Sequence, residues 1–452
     1  MRQSSARELR RPLEPHHDAM PASERPVLKV VASAPEPPSA RPSGRSVRGL
    51  DWFVFFVADI QTGFGPFVAA YLTAQHWTQI DIGLVLTVAG LVALAGQIPG
   101  GALVDAARSE RLVAGFAVGA IAIAALSYAA VPIFPVVLGA AIVHAAASCV
   151  LGPAIAAISL GLVGHAAIGE RLGRNARFAS IGNGIAAAAM GACGYLFSTR
   201  AVFFVTAALL LPSLFALRWI SPKEVDPERA HGGVPPEGAD KSVTQLPNLL
   251  HKRPLFIFGG CVMLFHLANA TMLPLMAGIL TTRSASWAPV LIAACIVVPQ
   301  VIVALMSPTV GRKARQWGRR PLLLIGFASL PIRGILFAVV TDPYALVAVQ
   351  VLDGITAAVL GVMVPLTIAD LTRGTGRFNI AQGIVGTMVG IGAALSTSIG
   401  GYATDYLGSK LAFLGLAAIG VAGFLAVLAL MPETRPAEDP CIPPEKARPR
   451  AC

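Results

Sequence analysis

Twelve stretches of at least twenty mostly apolar residues recur along this chain: 51–74, 80–104, 111–131, 134–163, 175–198, 201–220, 254–281, 287–310, 320–341, 343–370, 378–402 and 409–431. An α-helix rises about 1.5 Å per residue, so about 20 apolar residues cross the roughly 30 Å hydrocarbon core of a bilayer. No fold that must show a surface to water can absorb so many segments of this kind. Composition agrees, with 55% hydrophobic and only 13% charged residues, where soluble domains carry about 25% charged. The fold class expected is an all-α membrane protein with twelve transmembrane helices.

Between and around the apolar stretches lie three polar segments. Residues 1–48 are rich in Pro, Arg, Ser and Glu and contain no apolar run, which predicts a disordered tail rather than a signal peptide. A polar linker fills 222–253, and a second tail runs from 434 to 452. The remaining chain therefore divides into helical halves at 49–221 and 254–433. The net charge of +11 raises the question of nucleic acid, but Lys and Arg lie in tails and short loops, with no basic patch or aromatic platform. Topology explains the charge instead. Arg108, Arg111, Arg171, Arg174, Arg177, Lys252, Arg253, Arg312, Arg319, Arg320, Arg373 and Arg377 all fall in one set of alternating loops. The other set carries Arg200, Arg283 and Lys410. The positive-inside rule then places both termini in the cytoplasm of a multi-pass inner-membrane protein. Trp52, Trp77, Trp219, Trp287 and Trp317 all sit at segment ends, where amphipathic rings settle at the interface. Cys149, Cys193, Cys261 and Cys295 sit in apolar segments and Cys441 and Cys452 in the tail; none forms a CxxC pair, so they read as packing residues, and no metal or cofactor is implied.

The halves repeat at a nearly constant offset. Gly101 and Gly311 are 210 residues apart, Pro66 and Pro274 are 208 apart, and Leu151-Gly152 and Leu360-Gly361 are 209 apart. Such a duplication around a central linker is typical of secondary transporters. The loop from Gly101 through Leu103, Asp105 and Arg108 to Arg111 resembles the G-x-L-x-D-R-x-G-R-R signature of the major facilitator superfamily. The loop from Gly311 through Arg315 to Gly318, Arg319 and Arg320 resembles a second copy, with Arg315 where Asp is usual. The resemblance covers about residues 50–431 and implies two pseudo-symmetric six-helix halves, with these loops holding one gate closed. Physically, a glycine-bearing turn lets two helices approach, and the Asp105 carboxylate can accept from an arginine or cap a helix N-terminus.

Ionisable residues within spans are expensive and are functional candidates. Arg333 and Asp353 lie at matching depths in neighbouring antiparallel spans and can pair there. The run around them also resembles the lactose-permease-like branch, which implies proton handling beside an arginine, although that branch has His where Asp353 stands. His144 is the symmetry mate of Asp353 at an offset of 209. Asp59 lies near the cytoplasmic end of the first span. Gln61 and Asn269 correspond at an offset of 208, in spans that line the central cavity of the resembled family; His266 and Asn183 are further cavity candidates.

The function expected is alternating-access transport of a small polar or anionic solute, coupled to protons, by a monomer embedded in lipid and without nucleic acid. Efflux of drugs, siderophores or other amphiphiles is the alternative, and a non-transporting sensor a remote one. No HExxH, GxSxG or clustered carboxylate–histidine site points to an enzyme.

Overall fold

The fold is known from a computed structural model that describes residues 42–62, 66–198, 200–233, 252–283 and 288–435. The expectations for most of both tails, for the linker beyond residue 233, and for Trp287, Cys441 and Cys452 lie outside the described residues. Every regular element described is helical, and all but the 3-10 turn Pro222–Glu224 are α-helices. They are α1 (Gly44–Thr62), α2 (Pro66–Ala74), α3 (Gln79–Ala106), α4 (Glu110–Ala130), α5 (Phe134–Leu196), α6 (Ala201–Ala208), α7 (Leu210–Trp219), α8 (Pro227–Ala230), α9 (Arg253–Asn269), α10 (Met272–Arg283), α11 (Ala288–Trp317), α12 (Arg320–Val339), α13 (Pro343–Leu371), α14 (Phe378–Leu407) and α15 (Ser409–Leu430).

Their ends follow local chemistry. Thr78 accepts a hydrogen bond from the Asp81 amide to start α3, and Ser109 accepts from Leu112 to start α4. Asp342 accepts from Ala345, with Pro343 at the first helical position of α13. Each side-chain oxygen satisfies an amide that the helix leaves without a partner. Gly408, at φ 81°, turns the chain from α14 into α15, a conformation open to glycine at little cost.

Ten described helices are long and apolar enough to span a membrane, against twelve expected. Both differences have a physical source. The segment Phe134–Gly194 counts once although its 61 residues would extend about 92 Å as one straight helix. Gly164, at φ 68°, breaks its helical path, between the fourth and fifth expected spans. The first expected span is divided between α1 and α2, and α1 carries Arg45, Arg48, Asp51 and Asp59, which lower its hydropathy.

The buried apolar residues form two main cores. One gathers Phe53, Tyr71, Tyr128 and Phe203 from the first half of the chain; Tyr128 and Phe203 stack at 5.3 Å, and the Tyr71 hydroxyl donates to the Tyr128 carbonyl at 2.9 Å. The other gathers Phe258, Phe265, Phe327, Phe337 and Phe413 from the second half. Outside these cores the helices expose large apolar side chains, such as Leu112, Phe116 and Ile123 along α4. In water that surface would be a liability; against lipid it is the required one. The two halves meet where α3 runs along α14 and where the later part of α5 runs along α11.

Candidate functional site

The deepest charge sits in the second half. Pro331 and Arg333 belong to α12, and Arg333 forms an ion pair with Asp353 on α13. A second guanidinium nitrogen donates to the side-chain oxygen of Asn269, the last residue of α9, and lies 3.4 Å from the Met272 sulfur. The Phe337 ring lies 5.8 Å from the guanidinium carbon. Close helix packing makes this cluster possible. Gly334 touches Met272 and Ala417, and Gly354 packs against Ile302 and the Pro299 carbonyl, so a Cβ at either position would crowd its neighbours. The two charges differ in access: the Arg333 side chain is 4% exposed and that of Asp353 is 26% exposed. The carboxylate is thus the accessible member of the pair, and the guanidinium is enclosed behind it. The Arg333 Nε is buried without a hydrogen-bond acceptor.

A second constellation closes one end of the bundle, the end that carries the described part of the linker. Asp105 accepts from the Asn379 side-chain amide at 2.8 Å, the Asn379 backbone amide at 3.2 Å and the Ile380 amide at 2.8 Å. A carboxylate thus caps the N-terminus of a helix from the other half, where charge and dipole agree. Gly101 lies under the Asn379 carbonyl so closely that a Cβ would overlap it, and Gly311 lies likewise under the Gly169 carbonyl. Along the other seam Gly173 meets the Ser307 carbonyl, Arg177 donates to the Ala304 carbonyl at 2.8 Å, and Ser180 donates to Gln300 at 2.8 Å. Arg315 pairs with Glu170 across the same seam at 3.2 Å, largely in solvent. The linker's first residues strap this end. The Asp226 amide donates to the Gly161 carbonyl, and the carbonyls of His231 and Gly232 accept from Phe378 and Gly374. His231 Nε2 lies 3.2 Å from the buried Glu110 carboxylate.

This chain also matches a description of known proteins. The family model for the Major Facilitator Superfamily matches residues 52–330 and again 258–451. The chain belongs to the Major Facilitator Superfamily. It is 41% identical over 395 residues to an uncharacterized MFS-type transporter of Mycobacterium tuberculosis, covering 86% of this chain and 94% of that one. Among solved structures it is similar to the transporter FucP in its outward conformation, with a TM-score of 0.68 at 13% identity over 85% of this chain and 97% of the other. It is similar also to the human organic anion transporter MFSD10 (TETRAN), with a TM-score of 0.63 at 13% identity over 87% and 100% of the two chains. At these identities the solved structures bear on the fold alone.

As a superfamily member the chain is a transporter rather than an enzyme. Of the residues expected from sequence, the structure joins Arg333, Asp353 and Asn269 in one cluster and joins Gly101 and Asp105 to α14. His144 lies on α5, in the other half, with its Nε2 at 3.5 Å from the Ser148 hydroxyl. His266 packs edge-on against Phe265 at 5.3 Å, and Asn183 is half-buried on α5. Asp59 and Gln61 lie on α1, their side chains outside the described set. Arg108 is exposed. In the second motif copy, Arg319 pairs with Asp370 at 2.7 Å, and the Arg319 and Arg320 amides donate to Glu433 at 2.8 and 3.0 Å. Gly318 adopts φ 91°, and a Cβ there would strike that carboxylate.

Sequence reasoning missed several partners. Asp51 is 1% exposed and takes both Arg171 and Arg174 at 2.5 Å; Asp370, Glu110 and Asn379 are the others. Glu110, Asp370 and Asn379 stand at helix ends, where a polar side chain reads as a solvated loop residue, and Asp51 stands at the edge of the first apolar stretch. For the three acids the signal was faint: a carboxylate beside an apolar run, in a chain with only 24 aspartates and glutamates.

Proposed function

We propose that this superfamily member moves a small polar or anionic solute across the bacterial inner membrane by alternating access, with Asp353 as its proton-coupling group. The observation that carries the reading is the Arg333–Asp353–Asn269 cluster, in which a buried fixed cation backs a carboxylate that keeps partial access. A carboxylate that loses its fixed cation to a competing anionic solute takes up a proton and gives it back when the solute leaves and the pair re-forms, which links the two movements. Two half-bundles with cytoplasmic termini and twelve spans complete the reading: α1 and α2 form the first span, and α5 forms two on either side of Gly164. The linker-bearing end then faces the cytoplasm. Its seams run from Leu94 to Asp105 on α3 and from Phe378 to Gly390 on α14, so this state is closed to the cytoplasm. His144, His266, Asn183, Gln61 and Asp59 belong to the cavity or the proton path, and Arg108, Gly311, Gly318, Arg319 and Arg320 to the gate.

The test begins with a thermal-shift panel of carboxylates, sugars and nucleosides on purified protein. A hit is then assayed in proteoliposomes for accumulation driven by a pH gradient and for gradient-free exchange. The reading expects Asp353→Asn to keep exchange and lose accumulation. Full accumulation by Asp353→Asn would remove the carboxylate from proton coupling. A hit that binds Arg333→Gln as well as the parent would remove the guanidinium from solute recognition.

A further inference from the structure

At the linker-bearing end, a groove of about 420 Å³ between α4 and α7 is lined by Arg111, Leu112, Leu211, Leu214, Phe215, Leu217 and Arg218. Its walls are leucines and a phenylalanine, and Leu211, Leu214 and Phe215 are exposed on the outside of the bundle. Its mouth carries two arginines, neither of which forms a salt bridge among the described residues. Arg111 donates from one nitrogen to the Leu217 carbonyl at 3.0 Å, tying α4 to the end of α7, while its Nε is buried without an acceptor. Arg218 is exposed. The nearest acid in sequence, Glu110, is buried and faces His231 instead.

The internal repeat shows what this place accepts. Arg320 stands 209 residues after Arg111 and makes the matching bond, from its guanidinium to the Leu428 carbonyl near the end of α15. There the chain supplies an anion of its own: Glu433 takes the backbone amides of Arg319 and Arg320, at the start of α12. At the same offset of 209 the mate of Glu433 is Glu224, which accepts instead from the Ser43 amide and hydroxyl at 2.9 and 3.0 Å. The first half thus keeps the arginine, adds Arg218 and turns the matching carboxylate to Ser43 instead of to the helix start.

We infer that the α4–α7 groove binds an anionic phospholipid of the cytoplasmic leaflet, phosphate on Arg111 and Arg218 and one acyl chain along Leu112, Leu211, Leu214 and Phe215. Charge complementarity selects the headgroup, and the apolar wall together with the position at the membrane interface selects a lipid over a free anion. The site rests on the membrane reading of the chain and not on the transport mechanism. Lipid in this groove clamps α4 to α7, two helices of the half whose α3 carries Asp105.

The experiment is native mass spectrometry of the full-length protein in detergent, titrated with palmitoyl-oleoyl phosphatidylglycerol, with phosphatidylcholine of the same chains, and with inorganic phosphate. The result expected is one phosphatidylglycerol held in preference to phosphatidylcholine, unaffected by millimolar phosphate. Arg218→Gln should weaken that binding roughly tenfold, the loss of one charged hydrogen-bond partner, Arg218→Lys should largely retain it, and Leu214→Trp should block it by filling the groove. Arg218 is exposed and holds no other element, so its variants report on the site without unfolding the bundle. Equal retention of the two lipids, or parental affinity in Arg218→Gln, would overturn the inference. Displacement by inorganic phosphate would overturn it too, leaving a simple anion site.

Discussion

Breaking the Arg333–Asp353 pair from either side should have unequal consequences. With Asp353→Ala, the guanidinium stays 96% enclosed (4% exposed) and retains the Asn269 oxygen, the Met272 sulfur and the Phe337 ring but no carboxylate, with its Nε already lacking an acceptor. A charge stranded in that way costs about 3–5 kcal/mol. With Arg333→Ala, the carboxylate that remains is 26% exposed; it can take up a proton or water, so the loss should be nearer 1–3 kcal/mol, that of one unmet polar group. The double variant Arg333→Leu/Asp353→Ala leaves no charge behind and should recover most of the deficit. For a helical half of this size, 1 kcal/mol corresponds to about 2–4 °C. Thermal unfolding by intrinsic fluorescence in one detergent should therefore rank parent and double variant above Arg333→Ala, and Arg333→Ala above Asp353→Ala by several degrees. Equal losses in the two single variants, or a double variant less stable than both, would refute the claim that burial of the guanidinium dominates.

Three further outcomes follow from the gate. Gly101→Val and Gly311→Val force side chains into the carbonyls of Asn379 and Gly169; overpacking of about 1–3 kcal/mol shifts the conformational balance roughly 5- to 150-fold, read as faster thiol labelling at Arg377→Cys. The Glu110 hydrogen bond, and more weakly the Glu110 and Asp105 charges, raise the His231 pKa above its ordinary value, against a smaller opposing effect of burial. A raised folded-state pKa gives stabilisation that is complete below about pH 6.5 and lost as pH rises through the folded value. Hydrogen exchange of amides 226–233, corrected for intrinsic rates, should accelerate toward alkaline pH in the parent and be independent of protonation in His231→Gln; identical profiles would exclude the histidine. Asp370→Ala strands Arg319, whose side chain is 7% exposed, and should cost about 3–5 kcal/mol, seen as loss of the monodisperse peak in fluorescence-detected size exclusion.

Much of the fold was legible because the bilayer imposes a length and a polarity on every crossing segment. The helices α3, α4 and α9 to α15 stand close to where hydropathy put them. The exceptions are instructive. α1 hides among charges because Asp51, which weakens its hydropathy, is neutralised by Arg171 and Arg174 from 120 and 123 residues away, and no local window contains that pairing. Between the fourth and fifth expected spans, Glu170, Arg171 and Arg174 mark a boundary in the sequence, but the structure carries helix through them and breaks its path at Gly164. In the site, repeat offsets and matching depth brought Arg333, Asp353 and Asn269 into view. His231 and Glu433 escaped notice because their value comes from what faces them: a buried glutamate for one, a bare helix start for the other.

Alternating access is tested most directly by paired distances on opposite faces of the bundle. Spin labels replace Arg108 and Arg377 at the linker-bearing end, and Gln75 and Tyr406 at the far end, in a background with the native cysteines replaced. Each pair joins the two halves. Double electron–electron resonance is then recorded in lipid nanodiscs for the parent and for Gly101→Val. The account predicts a short Arg108–Arg377 distance in the parent, which lengthens in Gly101→Val while the Gln75–Tyr406 distance shortens. Distances that do not change, or two pairs that lengthen together, would contradict a gate that opens on one face as it closes on the other.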